Sequence, residues 1–280
     1  MPDSIKRGVA YTAGAQIVAV GLQFANTIVL TRSLPVADYG LYNLFFSASV
    51  TSATVADIGI NAAITRFVAE SEAQEQPERT FSVINSGLLI HALIFLLLTP
   101  LVWFLGPQFS ATWFDSNLPV YTLFLVSVPI TVWTGDLIGG LFGLRELKYV
   151  AIRMLLQAAL LLLFNFLFIQ WWSREIAVAA AVYVATNLLL LGWLLAYFGR
   201  AVKAGRLLAN RRTLLRPLIV FALPLAAVYA MQVVISYAPL LVTKAIGGEA
   251  SAVNHQIAVV SLAMMLGNAV NSVLSTAVKS

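Results

Sequence analysis

Three ionisable side chains, Asp57, His91 and Asp136, interrupt long apolar stretches of this chain. Deep in a membrane such a group costs about 2.5–3.5 kcal/mol to insert, so it normally faces a bundle interior or a wet cavity. Asp57 stands five residues before Ala62 and Asp136 six before Phe142, the ends of the stretches that hold them, which lets both acids share one depth. Asn61 follows Asp57 by four residues, and Arg66 comes roughly another turn later, so a continuous helix would put them on one face. Two uses fit the acids. One is a cavity-lining group that takes part in ion coupling or orients an arginine; the other is a carboxylate neutralised by a neighbouring basic group or helix end. His91, ten residues into its stretch, is either a protonatable cavity group or a neutral imidazole hydrogen-bonded to another helix, the latter being the ordinary expectation.

Arg32 and Arg66 flank the first two stretches, and a guanidinium there has the bidentate geometry to hold a phosphate or diphosphate. Snorkelling to lipid headgroups is the simpler use of an interfacial arginine. Other chemistries lack material. The chain has no cysteine and only two histidines, His91 and His255, so no metal site is expected. It has neither a GxxxxGK[ST] loop nor a GxGxxG fingerprint, so no nucleotide hydrolysis and no cofactor are expected.

The elements that must position these residues are apolar throughout. Of 280 residues 60% are hydrophobic and only 10% charged, against about 25% charged in a soluble domain. The deficit falls in eight stretches: Gly8 to Thr31, Leu41 to Ala62, Phe81 to Phe104, Leu118 to Phe142, Ala151 to Trp171, Ile176 to Phe198, Pro217 to Val242 and Ala252 to Leu274. Each is long enough to cross a hydrocarbon core about 30 Å thick. The sequence therefore reads as an all-α polytopic integral membrane protein with about eight transmembrane helices.

Charge sets the orientation. With the N-terminus in the cytoplasm, only Arg32, Arg174 and Lys244 of the 17 basic residues fall outside, as the positive-inside rule requires. The net charge of +5 then reflects cytoplasmic loops against an anionic leaflet, Arg200 to Arg216 above all, and nucleic acid is not needed as a partner. Trp103, Trp113, Trp171 and Trp172 fall at outer ends, where indoles anchor. Asn26, Asn165, Asn187 and Gln232 suit interhelical hydrogen bonds. Pro100, Pro129 and Pro224, with Gly135, Gly139 and Gly140, suit kinks that bend or rock a bundle.

Shifted by 212 residues the chain resembles itself: TRSLP at Thr31 aligns with TKAIG at Thr243, each a helix end, a basic residue, a short turn with one acid, and another apolar helix. Secondary transporters are commonly built from such weak repeats. The expected division is a first six-helix lobe over 1–216, including its basic loop, and the first two helices of a second, incomplete lobe over 217–280.

The segments GAQIVAVGLQF, TRSLPVADYGLYNLFFSASV and DIGINAAITRFVAE, with the later LLVTKAIGGEASAV, resemble the polysaccharide-synthesis flippases of the multidrug/oligosaccharidyl-lipid/polysaccharide exporter superfamily. That resemblance implies two helical lobes, usually of 12 to 14 helices in all, around a central cavity. It implies movement of a polyprenyl-diphosphate-linked oligosaccharide across the cell membrane by alternating access, with no covalent chemistry. A coupling ion, H+ or Na+, joins the lipid bilayer and the lipid-linked glycan as expected partners. Arg32, Asp57, Asn61, Arg66, His91 and Asp136 are the cavity candidates. A lobe and a third cannot enclose that cavity, so these residues are expected to belong to a longer chain, or to act with a partner chain or as a dimer. Other readings are an ion-coupled multidrug exporter, an inactive scaffold subunit, and a membrane-embedded glycan enzyme. The short, nearly uncharged outer linkers offer that enzyme little catalytic material.

Overall fold

A computed structural model describes residues 3–201, 212–246 and 252–261, and they are helical apart from short turns. The elements are α1 (Asp3–Ser33), α2 (Val36–Asp57), α3 (Ile60–Ala73), α4 (Pro77–Phe104), α5 (Gly106–Trp113), α6 (Leu118–Gly143), α7 (Leu147–Trp171), α8 (Ile176–Ala201) and α9 (Arg212–Ile246), followed by a helical segment over 252–261. Turns of two to four residues join most of them, so successive long helices run antiparallel. One end of the bundle holds the α3–α4 and α6–α7 turns, and the other holds the α1–α2 turn, α5 and the α7–α8 turn.

Helix ends follow local chemistry. Pro35, extended at φ −54° and ψ 149°, precedes α2, where its fixed φ suits a chain entering a helix. Asn117 caps α6 by accepting from the Val120 amide at 3.2 Å, with a proline in the first turn.

Five described helices are long and apolar enough to cross a membrane: the Tyr11–Ser33 part of α1, Pro77–Pro100 of α4, Leu118–Gly143, Leu147–Trp171 and Ile176–Gly199. They match five of the eight sequence spans. The second span is divided between α2 and α3, and the hydroxyl-rich run from Ser47 to Thr54 dilutes α2's apolarity. The seventh lies within α9, and the eighth is described only through residue 261. The basic loop over 202–211 and the acid-bearing turn over 247–251 lie outside the described residues.

α6 is the hub, packing against α2, α3, α4, α7 and α8, while α1 rests mainly on α7. Leu44 and Phe45 of α2, Ile64 and Val68 of α3, Leu137 and Leu141 of α6 and Leu194 of α8 are fully buried around it. Tyr183 of α8 receives Phe45 and Phe46 edge-on at 5.8 and 5.5 Å. Outward, Leu96, Leu97 and Phe104 of α4 are exposed, as a lipid-facing surface requires. Polar side chains join the helices: Asn165 donates to Asn26 (2.9 Å), Gln157 to Asn187 (3.0 Å) and Ser127 to Ser49 (2.8 Å). Gln232's side chain lies outside the described set. Trp171 and Trp172 are 83% and 77% exposed at the helix end, as anchors would be.

Candidate functional site

α2 does not run on into α3. Ile58 (φ 49°, ψ 26°) and Gly59 (φ 76°, ψ 10°) are both left-handed, which breaks the single helix expected from Leu41 to Ala62. Glycine takes this conformation freely, but a β-branched isoleucine there costs of order 1–3 kcal/mol, so the break needs support. Asp57 Oδ1 accepts a hydrogen bond from the Asn61 amide at 3.0 Å, satisfying one of the open donors in the first turn of α3. The four-residue spacing of Asp57 and Asn61 is therefore a cap across a break, not one face of a continuous helix. Gly59 lies hard against α9: a Cβ there would come within 2.7 Å of the Ala222 carbonyl oxygen.

The break also frees carbonyls at the end of α2, and α4 reaches one of them. His91 Nε2 lies 3.2 Å from the Asp57 carbonyl oxygen and 3.9 Å from Asp57 Oδ1. On its other side, His91 Nδ1 lies 2.7 Å from Asp136 Oδ2 of α6. His91 and Asp136 are fully buried, and the Asp57 side chain is 18% exposed. Three helical elements thus contribute one ionisable residue each, with ligand atoms all within 4.8 Å of one another. Asp136 Oδ1 and Trp133 Nε1, three residues apart on α6, are buried without a hydrogen-bond partner. Phe95, one turn after His91, packs on the imidazole at 6.5 Å and meets Trp133 edge-on at 6.1 Å.

α6 presents small residues to α3. Cβ atoms at Gly139 and Gly143 would each fall 2.8 Å from a backbone carbonyl of α3, those of Asn61 and Thr65. Their absence lets the helices approach closely enough for Thr65 Oγ1 to donate to the Gly139 carbonyl at 3.1 Å. Gly139, read from the sequence as a kink residue, and Gly143, which that reading did not single out, seat α3 and so fix the break over Asp136.

Of the sequence candidates, the fold brings Asp57, Asn61, His91 and Asp136 together. Arg66 is directed away, its guanidinium 4.3 Å from the Phe221 ring of α9. Arg32 is exposed in the last turn of α1.

A second polar cluster escaped the sequence reading. At the opposite end, Lys244 of α9 donates to Asp115 Oδ1 (2.7 Å) and Asn254 Oδ1 (3.3 Å), and Asn254 Nδ2 donates to Asp115 Oδ2 (2.7 Å). Asp115 and Ser116, both at positive φ, turn the chain between α5 and α6 to meet them. A run of a left-handed-tolerant aspartate before Ser and Asn was the available signal.

A family model described as polysaccharide biosynthesis protein matches residues 5–280. The chain is 26% identical over 153 residues to stage V sporulation protein B of Bacillus subtilis (strain 168), covering 54% of this chain and 30% of that protein. It is 24% identical over 203 residues to sporulation protein YkvU of the same organism, covering 71% and 44%. It thus spans less than half the length of either relative. Among solved structures, a MATE protein in complex with Br-NRF superposes with a TM-score of 0.68 at 16% identity, over 98% of this chain and 66% of that one. A MOP superfamily transporter from Pyrococcus furiosus gives 0.64 at 16% identity, over 98% and 65%. An inward-facing MATE family multidrug resistance transporter of the same superfamily gives 0.67 at 13%, over 95% and 64%. At these identities the likeness is one of fold.

Proposed function

The chain belongs to the polysaccharide biosynthesis protein family, and from that premise we propose that it moves a polyprenyl-diphosphate-linked oligosaccharide across the cytoplasmic membrane by alternating access. The family match along residues 5–280 carries this reading. The chain is a multi-pass membrane protein whose fold is that of MOP superfamily transporters. The charge bias supports a cytoplasmic N-terminus, and the weak repeat supports a second lobe that begins at residue 217.

The substrate sets the physical task. A glycan diphosphate is too polar to cross about 30 Å of hydrocarbon alone, while its polyprenyl tail belongs in lipid. A polar path beside the bundle serves the headgroup, and no covalent bond needs to form. The discontinuous helix α2–α3 is the kind of element around which transporters build a site. Arg32 and Arg66, exposed near opposite ends, are the available diphosphate contacts. Multidrug export would instead call for an acid open to an organic cation, and Asp136 is sealed against His91.

The test places the full chain in proteoliposomes with a fluorescent polyprenyl-diphosphate oligosaccharide. Label should become accessible on the far side faster than in protein-free vesicles. Correctly inserted protein that leaves the label in place overturns the reading, and movement of an organic cation instead establishes the multidrug alternative.

A further inference from the structure

We propose that the His91–Asp136 pair is the binding site of the coupling proton, and that this proton holds the α2–α3 break closed. The inference rests on the exporter reading for its role in transport, but the site itself stands on hydrogen-bond valence. Both ring nitrogens of His91 face acceptors: Nδ1 faces Asp136 Oδ2 at 2.7 Å, and Nε2 faces the Asp57 carbonyl at 3.2 Å. A carbonyl oxygen can only accept, so Nε2 must carry a hydrogen, and a second hydrogen must lie between Nδ1 and Oδ2. The pair therefore holds two protons in this conformation, either as imidazolium with carboxylate or as imidazole with carboxylic acid.

Release of one proton to water leaves a single N–H for two acceptors. If it stays on Nδ1, the Nε2 lone pair opposes the Asp57 carbonyl. If it moves to Nε2, the Nδ1 lone pair opposes a carboxylate oxygen 2.7 Å away. Either way one contact becomes repulsive. The cheaper loss is the longer contact, the one that caps the end of α2. The next residues are left-handed Ile58 and Gly59, and Gly59 abuts the Ala222 carbonyl of α9. Proton release thus acts on the junction between the first six spans and the helix that opens the next unit.

No other described charge competes for this role. Among the described residues, Asp57 is the further ionisable group that acts on His91 and Asp136. Among the elements packed around them, α3 directs Arg66 onto Phe221, α7's Arg153 interacts with Tyr183 of α8, α9's Arg216 is exposed, and Lys244 is paired with Asp115. Tyr121 at the far end of α6 donates to the Val102 carbonyl, and Tyr42 of α2 faces Tyr39 and Tyr183. Sodium fits poorly: a nitrogen donor is a weak ligand for a hard cation, and the 2.7 Å Nδ1–Oδ2 contact leaves no room for an ion between them. A mixed nitrogen–oxygen set does suit a divalent transition metal, so the test includes one.

His255 is exposed, and replacing it by Asn leaves His91 as the one histidine of this chain. Nitrogen-15 NMR of the ring in reconstituted full chain then reads both sites directly. The expected result is a pH-dependent change in the ring: with both protons bound, either two protonated nitrogens or an Nε2–H ring whose Nδ1 accepts from the carboxylic acid, and with one released as pH rises, a neutral ring beside a carboxylate, with Asp136→Asn moving the transition. Nitrogen shifts that stay constant at both ring positions throughout the titration overturn the proton site, and saturable ring shifts with micromolar zinc or manganese reassign it to a metal. In vesicles, one proton per cycle biases the glycan distribution about tenfold per pH unit of gradient, and His91→Gln should abolish that bias. Glycan movement indifferent to the gradient overturns coupling while leaving the flippase reading intact. If no glycan moves, the proposed function has failed and the ring resonances still decide the proton site.

Discussion

Two polar clusters join elements of this bundle, one across α2, α4 and α6 and the other across the α5–α6 turn, α9 and the segment over 252–261, and they differ in solvation. At the α2–α3 break, His91 and Asp136 are fully buried and the Asp57 side chain is 18% exposed. At the opposite end, Asp115 keeps 27% exposure beside a buried Lys244. The same kind of contact, a short hydrogen bond of 2.7 Å between a nitrogen and a carboxyl oxygen in each case, has different consequences. Out of water, a charge without its partner is costly, so the buried trio is nearly all-or-none. With water at hand, the lost partner is replaced, and the pair is a modest fastener that salt weakens. The depth of a contact, more than its geometry, decides how strongly conformation depends on it.

The comparison can be broken most decisively at Asp136. Asp136→Ala strands His91 in apolar surroundings and is expected to cost about 3–5 kcal/mol, read as a lowered midpoint for denaturation in mixed micelles. A cost near that of a surface pair would mean that water reaches the site and that the contrast between the clusters is false. Next comes the backbone on which the buried cluster sits. Gly59→Val adds a β-branched side chain at φ 76° with its Cβ against the Ala222 carbonyl, for an expected loss of about 1–3 kcal/mol by the same assay. Gly14, with open space around it, supplies the control in which a substitution should be tolerated.

At the other cluster, Lys244→Met should cost about 1 kcal/mol or less. Raising salt from 0.05 to 0.5 M should shrink the difference from the unsubstituted protein, while leaving the Asp136→Ala difference unchanged. Equal salt dependence at both places would remove the distinction. The smallest effect belongs to a polar contact without formal charge. Asn165→Val, which breaks the bond to Asn26, should cost about 0.6 kcal/mol. A loss of several kcal/mol there would show that burial alone, without charge, creates the all-or-none behaviour.

Apolar run length, the scarcity of charge and the distribution of Lys and Arg were legible as a multi-pass helical membrane protein, and five of the eight spans stand as single helices of crossing length. The residues of the candidate site were legible too, because Asp57, His91 and Asp136 are expensive where they are, and the distances of the two acids from their helix ends let those two share one depth. Their use was not. Whether an acid meets a base or a cavity depends on which helices touch, and hydropathy carries no information about neighbours. Arg66 illustrates this: its spacing from Asp57 placed it on the same face, but the break turned α3 and put the guanidinium over Phe221.

The sequence by itself determined the solvent of this protein, since 60% hydrophobic residues in long uncharged runs can be buried only in lipid or in one another. It also determined which side chains would be costly, since insertion energies belong to residue types. Tertiary structure decided the rest. It chose to interrupt the second span at Ile58 and Gly59, because the close approach of α6 through Gly139 and Gly143, the Asp57 cap and the packing of α9 together offset a strain that no local preference favours. And it brought His91 to a carbonyl that exists as a free acceptor only because that helix ends there.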